Sequence, residues 1–205
     1  IEDPAPDLTG ANGVSLIPDL VMGTEWEVGR GHLKTSVILR MLQGEVETAP
    51  NETYSQGAFG VSVSGMLIVP LLADDDNVRF AIHYGEGYGR YINDLGAEGG
   101  QDAVMDTVQG RLRTLPVAAG YLSYAHWWQT GKWRSTLCFG HVNVQNLDIQ
   151  EDDAYRMTNR LSANLIYTPA PRMDVGIEFL TGRRENKDGQ YGTASQIQLA
   201  WYFRF

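Results

Sequence analysis

TASQIQLAWYFRF, residues 193–205, carries the pattern that decides the fold. Ile197, Leu199, Trp201, Phe203 and Phe205 occupy alternate positions, and Gln196, Gln198, Ala200, Tyr202 and Arg204 fill the gaps between them. Successive side chains of a β-strand point to opposite faces of its sheet. Here one face is wholly apolar and aromatic and the other mostly polar. A soluble ligand-binding barrel puts its apolar residues inside, whereas a continuous aromatic face is easier to place against lipid.

The same period-two alternation recurs upstream at about 173–185, 155–168, 132–144, 117–129, 77–91, 57–70, 31–43 and 18–28. That makes about nine strands of about ten to sixteen residues, and no amphipathic helix longer than about three turns competes with them. Ordinary globular strands run about five or six residues, while a strand tilted across a membrane needs about nine to eleven. The connections also sort by length. VGRG (28–31), ADDDN (73–77), TGK (130–132) and TPAPR (168–172) are short. GEVETAPNETYSQ (44–56), residues 92–116, QNLDIQEDDA (145–154) and ENKDGQYG (185–192) are long. Short periplasmic turns opposite long extracellular loops are the habit of outer-membrane barrels. Tyr121, Trp127, Trp128, Trp133, Tyr167, Trp201, Phe203 and Phe205 fall near strand ends, where aromatic girdles sit.

Composition agrees with this reading. The 205 residues hold 16 Lys+Arg against 25 Asp+Glu, a formal net charge of −9. Such an acidic chain is a poor nucleic-acid binder, because phosphates demand a basic face. The one cysteine, Cys138, permits no internal disulfide and no Cys-based zinc site. No apolar run is long enough for a transmembrane helix. The mean hydropathy of −0.26 is what alternating lipid-facing and water-facing residues average to.

Several segments resemble the DcaP-like trimeric porin family. They are PDLVMGTEW (18–26), GRGHLKTSVILR (29–40), HYGEGYGRYI (83–92), HWWQTGKWRSTL (126–137), LIYTPAPRMDVGIEFLTGRRENKDG (165–189) and the ending GRRENKDGQYGTASQIQLAWYFRF (182–205). The resemblance covers most of the chain in the family's order, with GRRENKDG and GEGYGRY its most specific pieces. It implies a bacterial outer-membrane location, a homotrimer of barrels of about sixteen strands each, and passive diffusion of small anions such as dicarboxylates. The expectation is therefore all-β: a transmembrane antiparallel β-barrel of which residues 1–205 supply the C-terminal part. Residues 1–17 are then a remnant of an extracellular loop and 92–116 a long loop. The partners implied are small anionic or polar solutes, outer-membrane lipid and lipopolysaccharide.

A channel performs no bond chemistry and calls for no cofactor. Its working parts are charged side chains on a wet, low-dielectric wall. Alternation nominates them strand by strand. Lys34 and Arg40 face inward in HLKTSVILR, Arg79 and His83 in NVRFAIHYG, Arg160 in NRLSANLIY, and Glu178 and Arg184 in VGIEFLTGRR. Arg204 joins them at the periplasmic mouth. An Arg or Lys on the lipid side costs about 2–4 kcal/mol at the midplane, so these cations should face water. Arg90, in YGEGYGRYI before the longest connection, is nominated as a constriction residue. Glycines 85, 87 and 89 around it permit close backbone approach. Residues 92–116, with Arg111 and Arg113, either fold inward to narrow the pore or form an exterior loop. On the strand after PDLV the inward positions are Gly23, Glu25 and Glu27, where the family often carries basic residues, which weakens the case for anions. Loop acids such as Glu45, Glu47, Asp148, Glu151, Asp152 and Asp153 form a solvated rim or hold divalent cations between lipopolysaccharide heads.

The alternative function is an outer-membrane β-barrel enzyme of the protease or acyltransferase type. It requires a catalytic cluster. His32, His83, His126 and His141 lie on separate strands, and only a paper triad of His83, His126 and Asp174 offers itself. A non-enzymatic channel is the reading adopted.

Overall fold

The computed structural model describes residues 8–14, 16–46, 49–93, 95, 101–129 and 131–205. Nine long strands follow one another as β3 (Leu20–Val28), β4 (Gly31–Val46), β5 (Ala49–Ile68), β6 (Asn77–Glu86), β9 (Pro116–Gln129), β10 (Trp133–Val144), β11 (Tyr155–Ala170), β12 (Met173–Asn186) and β13 (Tyr191–Phe203). Four short strands complete the set: β1 (Leu8–Thr9), β2 (Asn12–Val14), β7 (Ala103–Asp106) and β8 (Arg111–Thr114). Each long strand pairs antiparallel with its neighbour in chain order, and β2 joins the sheet beside β3 on the edge of β4. The nine strands lie where the alternation predicted them.

The sheet does not close. Its outer long strands are β3 and β13, and among the described residues neither has a partner on its outer edge. The described strands thus form an open wall, in keeping with the expectation of part of a barrel, since closure requires the first and last strands to meet.

Register shows how the faces are divided. Trp201, Val175, Tyr167 and Trp133 form one cross-strand row, and Leu199, Ile177, Leu165 and Ser135 the next. The same face continues through Leu122, Phe80, Val63, Val37 and Met22. It is a continuous exposed apolar sheet face, with Trp201 79 % and Leu199 73 % exposed. On β12 it runs from Met173 to Thr181, about nine residues or ~30 Å of strand. At a tilt of ~40° that spans about 23 Å, close to the ~25 Å apolar band of an outer-membrane wall. Trp133 stacks on Tyr167 at 4.4 Å between ring centroids, at the short-turn end of the band.

Several loops differ from expectation. The stretch 44–56 reads as a loop, but β4 runs to Val46 and β5 starts at Ala49, so most of it is strand. A hairpin that projects past the apolar band is wet on both faces, so its residues need no alternation and look like loop. The connection 185–192 narrows to 187–190 for a similar reason. The N-terminal stretch, expected as loop, contains β1 and β2. The expected long loop contains β7 and β8, which form a small sheet in the order β1-β7-β8.

Candidate functional site: the polar face and the loop seated on it

The polar face has an apolar seat at its long-loop end. Ile38 of β4, Val117 of β9, and Val142 and Val144 of β10 all point to that side, and Tyr88, Ile92, Leu95, Val104 and Leu115 pack on them. A second cluster sets Ala103 of β7, with Leu8 of β1, on Leu42 and Ala58. Each fully buried aliphatic side chain contributes about 1.5–3 kcal/mol, so burial holds this loop to the wall. The connection from β6 to β9 thus folds over the polar face, the inward of the two arrangements weighed from sequence. Glycines make room for it. A Cβ on Gly60 would overlap the Tyr88 ring, and Gly87 turns the chain at φ 65°.

Arg40 locks the loop electrostatically. Its Nε donates to Asp19 Oδ2 at 2.9 Å, and its Nη1 pairs with Asp102 Oδ1 at 2.9 Å and donates to the Gly87 carbonyl at 2.5 Å. The guanidinium also lies 5.2 Å from the Tyr91 ring centroid, and Tyr91 Oη donates to Asp19 at 2.6 Å. Burial and the hydrogen bond to Asp19 push the Tyr91 hydroxyl up to about 12, so it remains a donor at any physiological pH. Arg40 is only 6 % exposed. It faces the nominated side but is covered by the loop, with its charge met by two carboxylates. Arg90 lies in the short 3-10 helix Gly89–Tyr91, half-buried, and its backbone N–H donates to Asp102 Oδ1 at 3.0 Å.

The other nominated residues share the polar face. Lys34 of β4 is exposed and sits opposite Glu25, while Glu27 sits opposite His32. Arg79 and His83 lie on β6, with His83 3.5 Å from the Tyr88 hydroxyl. Arg160 is exposed on β11, Glu178 is half-buried on β12, and Arg184, also on β12, lies with its guanidinium 5.3 Å from the Tyr155 ring centroid. The structure does not gather all eight at one point. Instead, a cavity of about 520 Å³ lies between loop and wall, lined by His83, Tyr91, Asn93, Tyr121, Cys138 and Arg160 among others. A second, of about 670 Å³, adjoins it through Arg160 and adds Arg184 and Asn186.

Sequence reasoning missed Asp19, Asp102 and Tyr91, because ion pairing between a loop and a wall leaves no periodic trace. Tyr121 was assigned to a strand end. Alternation alone puts it on the polar face, opposite Ala81 and Gly140.

At the short-turn end, two buried carboxylates fasten the strands. Asp76 accepts hydrogen bonds from the Leu72, Ala73 and Trp127 backbone N–H groups at 3.0–3.1 Å, from Tyr124 Oη at 2.5 Å, and pairs with His126 Nδ1 at 2.9 Å. Burial opposes its charge, but the donors of Tyr124, His126, Trp127 and Leu72 prevail and hold the carboxyl well below its ordinary range. Asp174 accepts from Arg134 Nη2 at 3.0 Å, Arg204 Nη2 at 2.7 Å and Thr168 Oγ1 at 2.5 Å. His126 and Asp174 are thus each engaged elsewhere, and His83 lies beside Tyr88. The paper triad is not assembled.

The described residues thus form an antiparallel sheet with an aromatic-edged apolar band on one face and a polar face partly covered by its longest loop. The crystal structure of the outer membrane channel DcaP of Acinetobacter baumannii has a similar fold, with a TM-score of 0.78 at 20% sequence identity. The match covers 98% of this chain and 55% of that one, so the chain spans about half the length of the channel it matches. No family model and no curated protein matches the chain.

Proposed function

We propose that the chain forms part of the wall of an outer-membrane diffusion channel for small hydrophilic solutes, with a preference for small anions such as dicarboxylates. The observation that carries the reading is the division of the sheet. One face carries a continuous exposed apolar band, and the cations Lys34, Arg79, Arg160 and Arg184 lie on the other. Arg40, Arg134 and Arg204 are neutralised by Asp19, Asp102 and Asp174, so they contribute less to the field a solute meets. Glu25, Glu27 and Glu178 on the same face temper the anion preference. The resemblance to trimeric porins supports a homotrimer, with the apolar band against outer-membrane lipid and the long-loop end against lipopolysaccharide.

The test is reconstitution of the complete protein in a planar bilayer, with conductance and reversal potential measured across a salt gradient. A conducting pore with a reversal potential on the anion side is expected. Arg79→Glu and Arg160→Glu together should move that potential toward cations. No conductance sinks the channel reading, and cation selectivity in the unaltered protein sinks the anion preference.

A further inference from the structure

We propose that the outer surface of β11 and β12 carries a docking site for the phosphate of a lipopolysaccharide lipid A headgroup, built on Arg156 and Arg183. The inference rests on the outer-membrane reading above and adds a specific lipid contact to it. Register puts Arg183 and Glu185 on the same side of β12 as Val175, Ile177 and Phe179, just past Thr181. The bulge between Tyr155 and Met157 turns Tyr155 inward, where it is buried in the loop cluster, and leaves Arg156 on the apolar side. Among the described residues, these two are the only cations on that side of the long strands. The corresponding positions of the neighbouring hairpins carry Gln43, Glu45, Thr53, Ser55 and Glu86.

The height suits a headgroup. Arg183 stands four residues beyond Phe179, about 13 Å along the strand and about 10 Å along the normal at a ~40° tilt. The geometry suits a phosphate. Glu185 holds both guanidinium groups, with Arg156 Nη1 at 3.2 Å and Arg183 Nη2 at 3.0 Å. Arg183 is also braced 3.9 Å from the Tyr191 ring centroid. The two arginine side chains are 49 % and 44 % exposed, while Glu185 is 13 % exposed. Two cations share one carboxylate, and each keeps N–H donors for a planar, bidentate grip on phosphate oxygens. Beside them, Asn143, Asn146, Asp148, Arg156 and Lys187 line a polar cavity of about 380 Å³. The Lys187 ammonium donates to the Asp148 carbonyl at 3.1 Å and to the Gln150 carbonyl, which fastens the 145–154 loop over this cavity. The two guanidinium groups outnumber the single carboxylate, Glu185, that they share, so the pair keeps a net positive charge for a phosphate.

The experiment uses the complete protein in detergent. Lipid A binding is read by native mass spectrometry and compared with chemically dephosphorylated lipid A, and conductance is measured in parallel. Bisphosphorylated lipid A should bind at least tenfold more tightly than the dephosphorylated form. Arg156→Gln with Arg183→Gln should abolish that difference and leave the reversal potential unchanged, because both residues lie off the polar face. Arg156→Lys with Arg183→Lys, which retains the charge but not the bidentate fork, should recover part of it. A conducting double-Gln variant that still prefers the phosphorylated lipid overturns the proposal. So does a variant that loses its oligomeric state with lipid binding unchanged. Failure of the unaltered protein to conduct refutes the outer-membrane reading itself, a different result.

Discussion

Asp76 shows what one carboxylate does at the short-turn end. It ties residues 72 and 73 of the β5–β6 turn to Tyr124, His126 and Trp127 of β9 with no exposure of its own. A carboxyl whose folded value is depressed adds stability above its unfolded value, near pH 4, and loses it only as the pH falls through the lower folded value. The turn should therefore withstand moderate acid. Asp76→Asn leaves buried donors poorly matched and should cost about 2–4 kcal/mol, with an acid-unfolding curve that no longer carries this carboxylate's contribution. Thermal and acid unfolding of the complete protein in detergent would show both effects. Arg40 plays the equivalent part on the polar face. Arg40→Met removes the cation that faces the buried Asp102 carboxylate and should destabilise the loop seat by about 3–5 kcal/mol. Faster hydrogen exchange at residues 88–92, with the strands β9–β12 still protected, is the expected signature. Parity showed which way Arg40 points. Its partners were illegible because Asp19 and Asp102 lie 21 and 62 positions away in irregular segments.

Among the elements, the β6–β9 connection depends most on shape. Gly60 of β5 leaves a hollow that the Tyr88 ring fills. Gly60→Leu should expel Tyr88, loosen the seat formed with Ile38 and Val117, and raise single-channel conductance if the loop narrows the path. Unchanged conductance would show that the loop's position does not limit flow. The β11–β12 hairpin offers the opposite case. Its turn is Pro171–Arg172, and Arg172 adopts φ 70°, a left-handed conformation that favours glycine. Arg172→Gly should relieve about 1 kcal/mol and raise the unfolding midpoint slightly. A fall would show that the arginine side chain outweighs the backbone strain. Strand existence and order were readable from alternation because each long strand separates lipid-like from water-like sides. The extended β4–β5 hairpin was not, since it projects past the band where no alternation is imposed, and β1, β2, β7 and β8 are too short to show a period, β7 being buried along its whole length.

At the scale of the whole molecule, the two faces of the sheet differ in what they tolerate. Ile177→Arg, at the middle of the apolar band, should cost about 2–4 kcal/mol of folding into a bilayer. Ser162→Arg, one strand away but on the polar face, should cost far less. Equal costs for both would remove the basis for assigning the apolar face to lipid. The net charge of −9 does not bear on this contrast, because the acids concentrate in the connections while the polar face carries most of the strand cations. The sequence by itself determined the nine long strands, their antiparallel succession and which side chains share a face. Those properties follow from period-two alternation and short turns, which are local. Only the tertiary structure decided that the longest loop seats on the polar face, and that Arg40 is a buried clamp while Arg160 stays exposed. Those outcomes depend on contacts between residues far apart in the chain, on cavities that glycines leave open and on the pairing of charges across them, none of which has a period to read.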